Sequence, residues 1–149
     1  MKICFEVITN AELLRLQSEA SEVPFIYQGQ PLIFRMAGQR ILGIEFGNHA
    51  QAAEPPGQLT LVGTFTPFRL KVWQTLLTIP RGTTWTYTQL ASRIGNPRAV
   101  RAVASAVAAN TFAYIIPCHR IVPASGGTGK YRWGAKQKAL LLKTESETP

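Results

Sequence analysis

The 149-residue sequence contains no aspartate, only two cysteines and only two histidines. Cys4 and Cys118 are too few for a disulfide framework or a zinc cluster, which points to a reducing, intracellular setting and to no bound metal. No apolar run approaches the roughly 20 residues of a membrane-spanning helix, and Glu6 arrives too early for a secretion signal. A cytoplasmic protein (nuclear in a eukaryote) with no membrane partner is the expectation. Carboxylates are also scarce where cations are dense. Residues 1–57 carry six glutamates and four Lys/Arg, a net charge of −2, whereas residues 58–149 carry only Glu145 and Glu147 against twelve Lys/Arg, a net charge of +10. A block of that sign attracts polyanions, and nucleic acid is the commonest reason to keep one; a merely soluble basic surface is the plainer alternative.

With 46% hydrophobic and 16% charged residues, the chain is long enough to bury a core as one domain or as a small lobe plus a main domain. Its first part reads as short strands around one helix: KICFEVI, then AELLRLQSEA with Asn10 as N-cap, then PFIYQG, PLIFRM and RILGIEF separated by glycines. The polar, proline-bearing NHAQAAEPPGQ (48–58) coincides with the change of charge sign, so the lobe boundary is placed after residue 57. Beyond it the pattern is helical. TPFRLKVWQTLL opens with Thr66 as N-cap and Pro67 at the first position; TYTQLASRIG carries a Thr86-x-x-Gln89 capping box and stops at Gly95; NPRAVRAVASAVAAN starts from Asn96 and Pro97. The expected fold class is α+β, with a small β-containing lobe over 1–57 and a mostly helical domain over 58–149 that holds a helix-turn-helix. Wound at about 100° per residue, the third helix sets Val100, Val103 and Val107 on a core stripe, with Arg98, Arg101 and Ser105 opposite and Ala102 and Ala109 beside them. That outer face is cationic and low in bulk, suited to phosphate contact in a groove, or else an ordinary solvated helix face.

IIPCHRIV (115–122) sets Cys118 beside His119 between apolar runs. Most free cysteines are small buried hydrophobes. A working thiol, with an unperturbed pKa of about 8.5, needs a base or a positive environment, and His119, Arg120 and the local field offer both. Neighbouring residues of a strand point to opposite faces, so either Pro117 turns the chain or a water bridges thiol and imidazole. A histidine base also needs an acceptor on its other nitrogen. In a last helix over about 135–145, the spacing of Lys138, Leu141 and Glu145 shares one face; Leu141 turns that face inward, which makes Glu145 a better acceptor than Glu147.

IPCHRIV, followed by GKYRWGAKQKALLLKTE and preceded by FRLKVWQTLLTIPRGTTWTYTQLASRIGNPRAVRAVASAVAAN, resembles the C-terminal domain of the O6-alkylguanine-DNA alkyltransferases, from about Leu59 to Glu145. The resemblance implies a DNA repair protein that flips O6-alkylguanine out of duplex DNA and takes its alkyl group irreversibly onto its own cysteine, once per molecule, as a monomer without a cofactor. By the same resemblance Cys118 is the acceptor, His119 activates it through water, Glu145 orients His119, and Tyr87 supplies a proton to the departing guanine. Arg101 is the finger that fills the gap in the base stack, with Arg98, Ala102, Ser105 and Thr86 on the DNA side. Asn110 is the hinge, and Arg120, Tyr131, Lys138 and the turn at Ser125 to Gly129 surround the pocket. The alternative is a non-enzymatic binder that flips alkylated bases and flags them for other repair factors; a helix-turn-helix regulator with an incidental thiol is a third reading.

Overall fold

The alternating apolar and polar residues of the first part form strands in the computed structural model, which describes residues 1–147. In chain order these are β1 (Lys2–Val7), α1 (Asn10–Glu19), β2 (Ser21–Tyr27), β3 (Gln30–Ala37), β4 (Arg40–Phe46) and β5 (Gln58–Gly63). The five strands make one sheet in the order β1-β5-β4-β3-β2, with β2, β3 and β4 antiparallel and β5 parallel to both β1 and β4. Gln28 and Gly29, both at positive φ (49° and 80°), form the two-residue β2–β3 turn, whose twist matches that of the flanking strands. Leu16 of α1 packs with Ile8, Ala37 and Val62. The cap of α1 is Thr9, whose side chain accepts from the Glu12 N–H at 3.1 Å; Asn10, expected as the cap, is already helical.

This unit comprises Met1–Phe65 and takes back Thr111–Ala113. The returning segment bonds to β4 through Ile44 N–H to the Thr111 carbonyl (3.0 Å) and Ala113 N–H to the Ile44 carbonyl (3.1 Å). The division of the chain therefore falls after Phe65 and not after residue 57. The charge changes sign before β5, yet β5 is the strand that joins β1 to β4, so the sheet needs it.

The second unit comprises Thr66–Asn110 and the residues from Tyr114 onward. α2 (Pro67–Leu76) begins where the sequence predicts, with the Thr66 side chain accepting from Arg69 N–H at 3.1 Å. It buries Val72, Trp73 and Leu76, and the Trp73 indole N–H donates to the Ala106 carbonyl at 2.8 Å. β6 (Trp85–Thr86) pairs in parallel with β7 (Ile121–Val122) and leads directly into α3 (Tyr87–Arg93). The capping box is formed in full: Thr86 Oγ1 accepts from Gln89 N–H at 3.1 Å and Gln89 Oε1 accepts from Thr86 N–H at 2.8 Å.

α4 (Val100–Ala108) packs against α2 and α3 and buries Val103, Ala106 and Val107. It starts later than expected. Asn96 does not cap it; its carbonyl accepts from Ala99 N–H at 3.0 Å, Pro97 and Arg98 form a turn, and Ala99 is the cap residue without a side-chain bond. Arg98 consequently lies in the turn that precedes α4 and is exposed, as are Arg101, Ala102 and Ser105 on the helix itself. The last helix, α5 (Ala135–Glu147), buries Lys138, Leu141 and Glu145, as their spacing predicts. Among the described residues, no helix is long and apolar enough to cross a membrane.

Candidate active site

Cys118 does not lie on a strand. Pro117 (φ −81°, ψ 58°) turns the chain, and Cys118–Arg120 form a single turn of 3₁₀ helix before β7. This breaks the strand alternation that would have sent the thiol and the imidazole to opposite faces, and both are buried, Cys118 at 5% exposure and His119 at 0%. The thiol forms part of the wall of a cavity of ≈ 340 Å³. Tyr87 of α3 and Ala104, Val107 and Ala108 of α4 make one side of it; Lys130, Tyr131 and Arg132, from the segment before α5, make the other.

Behind that wall lies a chain of polar contacts. Asn110, fully buried, donates from Nδ2 to Cys118 Sγ at 3.2 Å and to the Ile116 carbonyl at 3.1 Å. His119 Nε2 sits 3.1 Å from Glu145 Oε1, in charge-pairing range although bent away from a straight hydrogen bond, and its Nδ1 has no protein hydrogen-bond partner among the described residues. Arg120 grips both oxygens of Glu145, Nε to Oε1 at 2.9 Å and Nη2 to Oε2 at 2.7 Å, while its Nη1 donates to the Ile79 carbonyl at 2.8 Å. The His119 ring lies parallel to that of Tyr114 (5.6 Å between centroids, 16° between planes) and edge-on to Tyr131 at 6.5 Å.

Burial dominates the proton affinities. It pushes the Cys118 thiol up to about 11, against the Asn110 hydrogen bond and the Lys138 and Arg132 charges, so the resting group is a neutral thiol. Burial lowers His119, and Glu145 opposes that. For Glu145 burial acts upward, but the close contacts and charges of His119 and Arg120 outweigh it and bring the carboxyl down to about 2, so it is ionised. Tyr87 is raised, first by burial and then by the Cys118 charge, and stays protonated at neutral pH.

The structure thus brings Tyr87, Cys118 and Tyr131 to one cavity, with Asn110, His119, Arg120 and Glu145 behind it. Lys138 is placed differently from its expected position on the pocket wall. Its Nζ donates to the Ile121 carbonyl at 2.6 Å and the Lys130 carbonyl at 3.3 Å, tying the strand after Cys118 to the segment that carries Tyr131. Nor does the Ser125–Gly129 turn reach the wall, whose cations are Lys130 and Arg132. Thr86 spends its oxygen on the capping box and retains only its hydroxyl proton for a phosphate. The sequence reading missed Tyr114 and Arg81, whose Nη1 donates to the Tyr114 hydroxyl at 3.0 Å, because no spacing rule links positions 81, 114 and 119.

Known proteins share this arrangement of chain. The curated relatives include the bifunctional transcriptional activator/DNA repair enzyme Ada of Escherichia coli, 58% identical over 82 residues, covering 55% of this chain and 23% of Ada. The methylated-DNA–protein-cysteine methyltransferase of Kluyveromyces lactis is 50% identical over 80 residues (54% of this chain, 42% of the relative), and that of Mycobacterium leprae 46% over 88 residues (59% and 52%). The matched stretch thus spans between about a quarter and about half of these relatives. Among solved structures, the O6-methylguanine methyltransferase of Mycobacterium tuberculosis is similar with a TM-score of 0.69 at 28% identity, over 87% of this chain and 95% of that one. A second structure of the M. tuberculosis protein, in complex with DNA, gives 0.67 at 29% identity over 83% and 91%. The family described as "6-O-methylguanine DNA methyltransferase, DNA binding domain" matches residues 67–147, which hold the whole cavity wall, the turn that carries Cys118 and the α5 carboxylate, and the chain belongs to that family.

Proposed function

We propose that this protein repairs O6-alkylguanine in double-stranded DNA by transferring the alkyl group to its own Cys118. The observation that carries the reading is a buried cysteine at the wall of a base-sized cavity, with a proton acceptor and an ionised carboxylate lined up behind it. A neutral thiol attacks poorly, so the proton must leave as the bond forms. His119 Nδ1 receives it through an intervening water, Glu145 stabilises the resulting imidazolium, and Arg120 keeps Glu145 ionised and aligned. The sulfur–carbon bond forms as the carbon–O6 bond breaks, and Tyr87 gives the departing guanine its proton. The Asn110 amide and the Lys138 and Arg132 charges favour the developing thiolate. A thioether is a poor leaving group, so each molecule reacts once.

The cavity faces a base only after that base leaves the duplex. α3 and α4 act as a helix-turn-helix, with Arg101, Ala102 and Ser105 entering the groove, Arg101 filling the vacated stack, and Arg98 and Thr86 meeting phosphate. One copy of the chain binds per lesion, in the cytoplasm or, in a eukaryote, the nucleus. The test is Cys118→Ala assayed on a duplex carrying O6-methylguanine: the expected result is retained binding with no repair. Repair by this variant would refute the assignment. If the parent binds the lesion and transfers nothing, the protein is a lesion-flagging binder.

A further inference from the structure

We propose that Tyr114 is a positioning residue of the alkyl-transfer site, which holds the His119 ring in place and stabilises its protonated form through the face of its own ring. The inference rests on the reading of Cys118 as an alkyl acceptor that releases its proton toward His119. Tyr114 is 4% exposed and adopts φ +66°, the left-handed conformation that costs an aromatic residue energy and persists only where the surroundings impose it. What that conformation achieves is visible in the site: the phenol ring lies against the imidazole at 5.6 Å and 16°. Its hydroxyl is fixed from the far side by Arg81 Nη1 at 3.0 Å.

His119 is also faced by Glu145 and Lys138 from α5, by Arg120 from its own turn and by Tyr131 edge-on. Glu145 favours the protonated ring, whereas Arg120, Lys138 and burial disfavour it. With the Glu145 carboxylate paired to the Arg120 guanidinium, Lys138 is left as an uncompensated cation facing the buried ring. An aromatic face within about 6 Å of a cation attracts it most strongly where water is excluded. Tyr114 supplies that attraction at the moment the imidazole accepts a proton, and it adds no negative charge that would repel the forming thiolate.

The test uses a graded series at position 114. Tyr114→Phe keeps the ring and removes the hydroxyl; replacement by trifluorophenylalanine keeps the shape and empties the face of electron density; Tyr114→Asn removes the ring with a side chain that accepts a left-handed backbone. Two readouts are taken: the pH dependence of Cys118 alkylation by free O6-methylguanine, and the titration of the His119 imidazole by NMR. Both midpoints should stay near the parent's in Tyr114→Phe and move to lower pH with fluorination and in Tyr114→Asn, by about half a unit to one unit. The alkylation rate on the plateau should fall by no more than about tenfold, in the same order. Midpoints that do not move between the phenylalanine and the fluorinated forms would overturn the proposal even if the asparagine variant fails to fold. A parent that alkylates nothing would instead overturn the functional reading, while the NMR titration still reports whether the stack acts on His119.

Discussion

Asn110 Nδ2 donates to both Cys118 Sγ at 3.2 Å and the Ile116 carbonyl at 3.1 Å, so one buried amide fixes the thiol and the segment leading to it. Replacing it by Ala leaves a buried carbonyl without that donor, which costs roughly 1–3 kcal/mol of stability, and removes a donor worth more to a thiolate than to a thiol. Asn110→Ala is expected to lower the urea midpoint and to slow alkylation of Cys118 by roughly tenfold or more under single-turnover conditions. A lower midpoint with an unchanged rate would confine Asn110 to the fold.

The two-point grip of Arg120 on Glu145 predicts that a lysine will not substitute for it. Lysine cannot bond both carboxylate oxygens and the Ile79 carbonyl from one plane. Arg120→Met strips a buried carboxylate of its main partner and should destabilise the protein by about 3 kcal/mol, with Arg120→Lys intermediate. Thermal unfolding of the three proteins checks the order; equal stability of Lys and Arg would mean that charge alone matters.

Stability should have an acid and an alkaline limb. His119, depressed below its usual 6.5 by burial, and Glu145, brought from 4.5 to about 2, both have folded values below their unfolded ones. The unfolded chain therefore binds more protons in acid, and stability is lost as pH falls below about 6.5 and again below about 4.5. Cys118, raised by burial to about 11, acts in the opposite sense, and its contribution is lost as pH rises from the free-thiol range toward 11. Tyr87, Tyr114 and Tyr131 are raised too and act with it, while Lys138, lowered by burial, opposes them. Denaturant midpoints across this range should peak between about pH 7 and 9, and Glu145→Gln should remove the lower acid step.

DNA binding should be driven by the basic second half of the chain and depend little on base sequence. Affinity is expected to fall with salt at a log-log slope of about −0.9 per phosphate contact. Arg101 is exposed on α4 and does not line the cavity that holds the Cys118 thiol, so Arg101→Ala should slow repair in duplex DNA far more than reaction with the free alkylated base. Equal losses on both substrates would remove Arg101 from the finger role.

The parts of this architecture set by local rules were legible in the sequence. Thr66 and Thr86 cap the helices they were expected to cap, and the inward face of α5 followed from the spacing of Lys138, Leu141 and Glu145. Features decided by distant partners were not. β5 belongs to the first unit because β1 and β4 pair with it on either side, which neither the charge change nor the proline-bearing stretch before it reveals. α4 starts at Val100 because Asn96 spends its carbonyl on the preceding turn. Lys138 reads as a pocket amine until two backbone carbonyls are found to hold it. The Tyr114–His119 stack depends on a left-handed tyrosine, a conformation that the residue type itself argues against.

The central claim is that Cys118 accepts an alkyl group once, and weighing the intact protein after incubation with excess duplex containing O6-methylguanine tests it most directly. One added methyl group is expected, located on Cys118 and absent from Cys4, with repair stopping at one equivalent per protein molecule. Repair that continues past one equivalent, or a methyl group found anywhere other than Cys118, would contradict the account.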